Sequence, residues 1–210
     1  MTSRGADWAG AGTRHLVRVE PRFGPVVEAA GPYAPERRPA KSLFAVLGRA
    51  IVYQQLSSAA AGTIHARYTD LFDRRTPDAK QLLALPPSKL RAVGLSAAKA
   101  AALRDLATRT VQSELPSFRE LDALDDDAIV DRLTVVRGVG PWTVHMLLLF
   151  HLQRPDVLPT TDYGVRKGYA KLFGKRALPS EATLTRAATP WKPYRSIASW
   201  YLWRTLDTET

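Results

Sequence analysis

Leu133-Thr134-Val135-Val136-Arg137-Gly138-Val139-Gly140-Pro141-Trp142-Thr143 reads as the end of one helix, a tight glycine turn and the start of a second helix. Glycines allow positive φ and let another backbone come close. Pro141 suits the first helical turn, where a missing N–H leaves no bond unmade. The amides at that start point outward from an electropositive helix end, so a phosphate group can dock there. An ordinary helix corner has the same glycine pattern, and the motif alone leaves that reading open. The apolar helix behind the turn ends near His151, and a short loop then delivers Thr160-Thr161-Asp162-Tyr163-Gly164-Val165-Arg166-Lys167. One carboxylate thus stands just ahead of a basic helix. Asp is also a common N-cap, so by its position alone Asp162 reads first as a cap.

The rest of the chain is patterned as helices. Leu43, Phe44, Leu47, Ile51 and Val52 recur at helical spacing behind Ser42, a suitable N-cap. A second helix is predicted from Ala59 to Phe72, a short one from Pro86-Pro87-Ser88 to Gly94, and one from Ala97 to about Gln112 capped by Ser96. Further helices are predicted over 129–135, 142–151, 162–173, 180–188 and 194–206. Asp125-Asp126-Asp127 complements the positive end of a helix; three adjacent carboxylates cannot share a helix face, which argues against a metal site. Residues 1–40, rich in Gly, Pro, Ala and Arg, read as an extended arm in which only His15 to Glu20 hints at a strand. With strand signals so scarce, the predicted class is all-α.

Charge narrows the partner. Thirty Lys and Arg against twenty Asp and Glu give a net charge of +10 over 210 residues, and 45% of the chain is apolar. A folded, strongly basic protein favours a polyanion, with nucleic acid ahead of a membrane. No apolar run approaches the roughly 20 residues of a membrane span, and MTSRGADWAGAGTRH has no apolar signal-peptide core; a cytoplasmic, nucleoid-associated location is the expectation. There is no cysteine, which excludes disulfides, thiolate zinc sites, a cysteine nucleophile and a cysteine-held iron–sulfur cluster. His15, His65, His145 and His151 show no ligand spacing.

Four blocks together resemble the DNA-3-methyladenine glycosylase II family of the helix–hairpin–helix DNA glycosylase superfamily. They are Arg49-Ala50-Ile51-Val52-Tyr53-Gln54-Gln55-Leu56-Ser57, Leu90 to Ala100, the glycine hairpin with Asp162, and Trp191-Lys192-Pro193-Tyr194-Arg195-Ser196. The resemblance implies a two-lobed fold with the active site in the cleft between lobes: 41–59 plus 156–210 as the lobe carrying Asp162, and 60–155 as the lobe carrying the hairpin. It implies hydrolytic excision of alkylated purines, of the 3-methyladenine and 7-methylguanine type, from double-stranded DNA by an enzyme acting as a monomer. The target base must first be flipped out of the stack. Asp162 would be the catalytic carboxylate, stabilising positive charge on the deoxyribose and orienting or deprotonating water.

By the same resemblance Trp142, Tyr163, Trp191 and Tyr53 would line the base pocket, where aromatic faces attract a cationic base. Gly138, Val139, Gly140 and Thr143 would hold the DNA backbone. Gln54, Gln55 and Leu56 form the corner that enters the duplex, with Gln55 or Leu56 as the wedge. Backbone carbonyls of Thr134, Val136 and Val139 would hold a monovalent cation, Na+ or K+, and no other cofactor is implied. Trp142 occupies the position at which bifunctional superfamily members carry a nucleophilic lysine, so no lyase activity is expected. Lys167 and Lys171 fit solvated or phosphate-facing roles. The sequence departs from the family at Arg137, where proline is usual, at Tyr53, where a small residue is usual, and at Thr161, where a second acidic residue is frequent. Two other readings stay open: a non-catalytic DNA-binding protein, and a glycosylase for deaminated or mismatched bases.

Overall fold

A computed structural model describes residues 4–36 and 42–207. Among them the regular structure is entirely helical. The helices are α1 (Arg4–Val19), α2 (Phe23–Ala30), α3 (Leu43–Tyr53), α4 (Ser58–Thr69), α5 (Ala79–Ala84), α6 (Pro87–Ala92), α7 (Ala97–Val111), α8 (Phe118–Asp122), α9 (Asp126–Leu133), α10 (Pro141–Phe150), α11 (Tyr163–Leu172), α12 (Glu181–Ala187) and α13 (Arg195–Asp207). Two 3-10 turns, Asp73–Arg75 and Thr189–Trp191, complete the order. None of these helices is long and apolar enough to cross a membrane.

Local chemistry explains most boundaries. Ser42, Ser57, Ser96 and Asp125 each accept a hydrogen bond from the backbone N–H three residues on, capping α3, α4, α7 and α9. Such caps satisfy donors that a helix start otherwise leaves unpaired. The acidic triplet is therefore the start of α9, as its sequence indicates. Two short helices, α5 and α8, were not anticipated. α8 is held by a full capping box between Ser117 and Glu120.

The chain divides into two compact units, Pro39–Leu147 and Met1–Arg38 with Leu148–Thr210. In the first, α7 packs against both α3 and α5. Its Leu103 and Leu106 are fully buried, as are Leu47 and Ile51 of α3 and Leu82 of α5. The expectation for residues 41–59 is corrected here: α3 belongs with α4–α9, because its apolar face is buried in this core.

In the second unit α13 is the central element, contacting α1, α2 and α11. Ile197, Ala198, Tyr201 and Leu202 are all fully buried, with Ser196 and Ser199 buried beside them. Its buried positions run round the helix rather than along one stripe, as in a helix surrounded by protein. α11 crosses α13 so closely that a Cβ on Gly168 would overlap the carbonyl of Leu202. The loop leading to Asp162 is stitched to the start of α13. Arg195 grips Asp156 through Nε–Oδ1 at 2.7 Å and Nη2–Oδ2 at 2.8 Å. Ser196 Oγ donates to Arg154 O at 2.6 Å and accepts from Val157 N at 2.9 Å.

The amino-terminal segment overturns its expectation. It is not an extended arm with a short strand but two helices, α1 and α2, with Leu16 and Phe23 fully buried. The glycines of α1 weaken it by propensity, although its alanines favour a helix. Docking supplies what propensity lacks, since burying a large apolar side chain contributes about 1.5–3 kcal/mol.

Candidate active site

Asp162 is the N-cap of α11: its Oδ1 accepts from Val165 N at 2.7 Å. The same oxygen accepts from Trp203 Nε1 at 2.8 Å. Two fixed donors on one oxygen hold the carboxylate plane in place. Trp203 is itself stacked on Phe150, with ring centroids 5.8 Å apart. The capping role open from sequence is real, and it fixes the direction of the carboxylate. Gly164 keeps this corner open. A Cβ there would lie 2.8 Å from Trp203 Cδ1 and 3.1 Å from Asp162 Oδ1. Tyr163, beside Asp162, is 64% exposed, a broad aromatic face at the surface. Lys167 and Lys171 are also exposed.

In the other unit, the turn at Gly138 has φ +78, a conformation that favours glycine. Val139 N donates to Val136 O at 3.0 Å and Thr143 N to Gly140 O at 2.9 Å, and both side chains are buried. Val139 and Thr143, expected to touch DNA, are thus corrected to structural members of the hairpin. Their amides close its turns and their side chains fill the core beneath. The amides of Gly138 and Gly140 make no such backbone bond among the described residues, and a helix start of this kind can accommodate an anion. Arg137 N donates to Asp105 Oδ2 at 2.8 Å. A proline, the residue the family resemblance leads one to expect here, could not make that bond.

The corner after α3 is held from two sides. Gln54 Nε2 donates to Gly138 O at 2.8 Å. Lys99 Nζ donates to Val52 O at 2.8 Å and to Gln54 O at 2.7 Å. Gln55 follows with φ +54, and it and Leu56 are exposed. Of the three corner residues, Gln54 is a strut and only Gln55 and Leu56 project.

The aromatic expectations separate. Trp142, at the start of α10, is 43% exposed. Tyr53 is half-buried, with the Arg49 guanidinium 3.8 Å from its ring centroid and His65 against its edge, so one ring face is already covered. Trp191 is corrected. It is 1% exposed, edge-on to Phe23 at 5.4 Å and near Tyr169 and Phe173 at 6.4 and 6.3 Å. That is a core residue, covered by α2, which lies in the segment expected from sequence to be an extended arm. Trp203 is the site residue that sequence reasoning missed. It lies 41 positions beyond Asp162, in a stretch whose apolar character signals only burial. No group of three His, Asp or Glu among the described residues could hold a metal ion.

The model of the HhH-GPD superfamily of base excision DNA repair proteins matches residues 49–193. The DNA-3-methyladenine glycosylase 1 of Schizosaccharomyces pombe is 33% identical over 193 residues, spanning 91% of this chain and 85% of that protein. A solved structure of a Schizosaccharomyces pombe 3-methyladenine DNA glycosylase in complex with abasic DNA superposes with a TM-score of 0.86 at 32% identity, over 94% of this chain and 97% of that one. A DNA-3-methyladenine glycosidase from Bacillus halodurans superposes with a TM-score of 0.84 at 29% identity, over 94% and 89%.

Proposed function

The chain belongs to the HhH-GPD superfamily of base excision DNA repair proteins, and from that footing we propose that it is a monofunctional DNA glycosylase that excises alkylated purines from duplex DNA. The observation that carries the chemistry is the Asp162 carboxylate, fixed by Val165 N and Trp203 Nε1 beside the exposed ring of Tyr163.

The proposed reaction is hydrolysis of the N-glycosidic bond. The base departs with the bonding electron pair, and an alkylated purine that carried positive charge leaves neutral. Positive charge develops on the deoxyribose, and the Asp162 carboxylate stabilises it. Water then adds its oxygen to C1′, and Asp162 orients it and accepts its proton. A cationic base is attracted to aromatic faces by roughly 0.5–2 kcal/mol, the role assigned to Tyr163 and Trp142. Because Trp142 stands where bifunctional relatives carry an attacking lysine, the strand is left intact at the abasic sugar.

DNA would be held by phosphate contacts to the Gly138 and Gly140 amides, with Gln55 or Leu56 occupying the gap left by the flipped base. The hairpin oxygens of Thr134, Val136 and Val139 are hard donors of the kind a monovalent cation accepts. Val136 O also accepts from Val139 N, and any such ion would stiffen the turn.

The test is release of free base from duplex DNA containing 7-methylguanine or 3-methyladenine. Wild type should release base without cutting the strand. Asp162→Asn, which can still cap α11, should bind the same DNA and release almost none. Undiminished release by Asp162→Asn would remove the carboxylate from the mechanism.

A further inference from the structure

Lys99 sits in the first turn of α7, the positive end of a helix, where a cation is disfavoured. Burial also holds its ammonium below the ordinary lysine pKa. A solvated lysine would avoid both penalties. What it gains is two carbonyls, Val52 O and Gln54 O, at 2.8 and 2.7 Å. These belong to the last turn and C-cap of α3, where backbone oxygens lack helical partners and partial negative charge collects. The next residue, Gln55, has φ +54, a left-handed conformation disfavoured for a non-glycine residue. Such a conformation persists when its surroundings over-determine it. Here Lys99 fixes the carbonyl side of the corner, and Gln54 Nε2 fixes the other by donating to Gly138 O.

We propose that Lys99 is a positioning residue for base extrusion: its ammonium locks the end of α3 onto α7 and so sets the left-handed corner that presents Gln55 and Leu56 to the duplex. This rests on the assignment of that corner as the wedge. Lys99 touches neither base nor sugar in this role. Its contribution should therefore appear only when a base must be pulled from a pair.

The experiment measures single-turnover excision of 7-methylguanine from two duplexes, one with the lesion opposite cytosine and one with it opposite an abasic site, where extrusion is easier. Lys99→Met should be roughly tenfold or more slower on the paired duplex, the effect expected for losing charge-assisted hydrogen bonds, and within about twofold of wild type on the other. The ratio of the two rates does not depend on the fraction of correctly folded protein. Lys99→Arg, which keeps the charge and donors, should recover most of the paired rate. An unchanged ratio for Lys99→Met overturns the proposal. Gln55→Ala and Leu56→Ala separate the two ideas. If either shows the paired-specific loss and Lys99→Met does not, the lysine assignment alone fails; if neither does, the wedge assignment fails with it.

Discussion

Trp203 donates its indole N–H to Asp162 Oδ1 at 2.8 Å, on the same oxygen that caps α11 through Val165 N at 2.7 Å. The carboxylate is thereby oriented by one local donor and one that arrives from a distant helix. Trp203→Phe removes only the second and keeps an aromatic ring to stack on Phe150. A hydrogen bond to a charged group contributes about 1.5–3 kcal/mol, so excision should slow roughly tenfold to a hundredfold with DNA binding retained. Wild-type rates in Trp203→Phe would show that the indole bond is not what orients Asp162.

Gly164→Ala should reproduce much of that loss without touching either partner. The added methyl would fall 2.9 Å from Trp203 Nε1 and 3.1 Å from Asp162 Oδ1, closer than packed atoms tolerate. The half-buried indole must shift, and its bond to the carboxylate should go with it. Indole fluorescence and excision rate should change together; an alanine variant with unchanged excision would mean the indole moves aside and keeps its bond.

Trp191 and Trp142 should respond in opposite ways. Trp191→Ala opens a cavity in the unit built on α13 and should destabilise it by about 3–5 kcal/mol, read by denaturant unfolding. Trp142, 43% exposed, should lose little stability as alanine but should slow release of 7-methylguanine. A stable Trp191→Ala variant with a selective excision defect would return Trp191 to the pocket.

Acid should weaken the fold through two histidines. Burial lowers the pKa of His65, and the Arg49 guanidinium acts in the same direction. Burial also lowers that of His145, against the pull of Asp127. Each titrates near 6.5 in the unfolded chain. The unfolded chain therefore binds more protons between the folded and unfolded values. Stability is complete above about pH 6.5 and falls as the pH drops through that value. The wild-type Tm should fall between pH 7.5 and 5.5, and that of a His65→Gln, His145→Gln double variant should fall less. Equal falls would assign the acid sensitivity to other groups.

What the sequence determined by itself was short-range. Helix starts were legible at Ser42, Ser96 and Asp125 because a cap and its amide lie three residues apart, and the glycine hairpin because a positive φ at Gly138 and a proline at Pro141 restrict the backbone locally. Asp162 was legible as a group of interest for the same reason, as were the net charge and the absent cysteines. Tertiary structure alone decided which tryptophan serves which end. Trp191 is core because α2 brings Phe23 to it, and Trp203 is the carboxylate's partner because α13 crosses α11 beside Gly164 and Gly168. It likewise turned the amino-terminal segment into two docked helices and gave Lys99 a task at the end of α3. Those outcomes depend on packing and hydrogen bonds between residues far apart in the chain, and local sequence does not show which distant residue each side chain will meet.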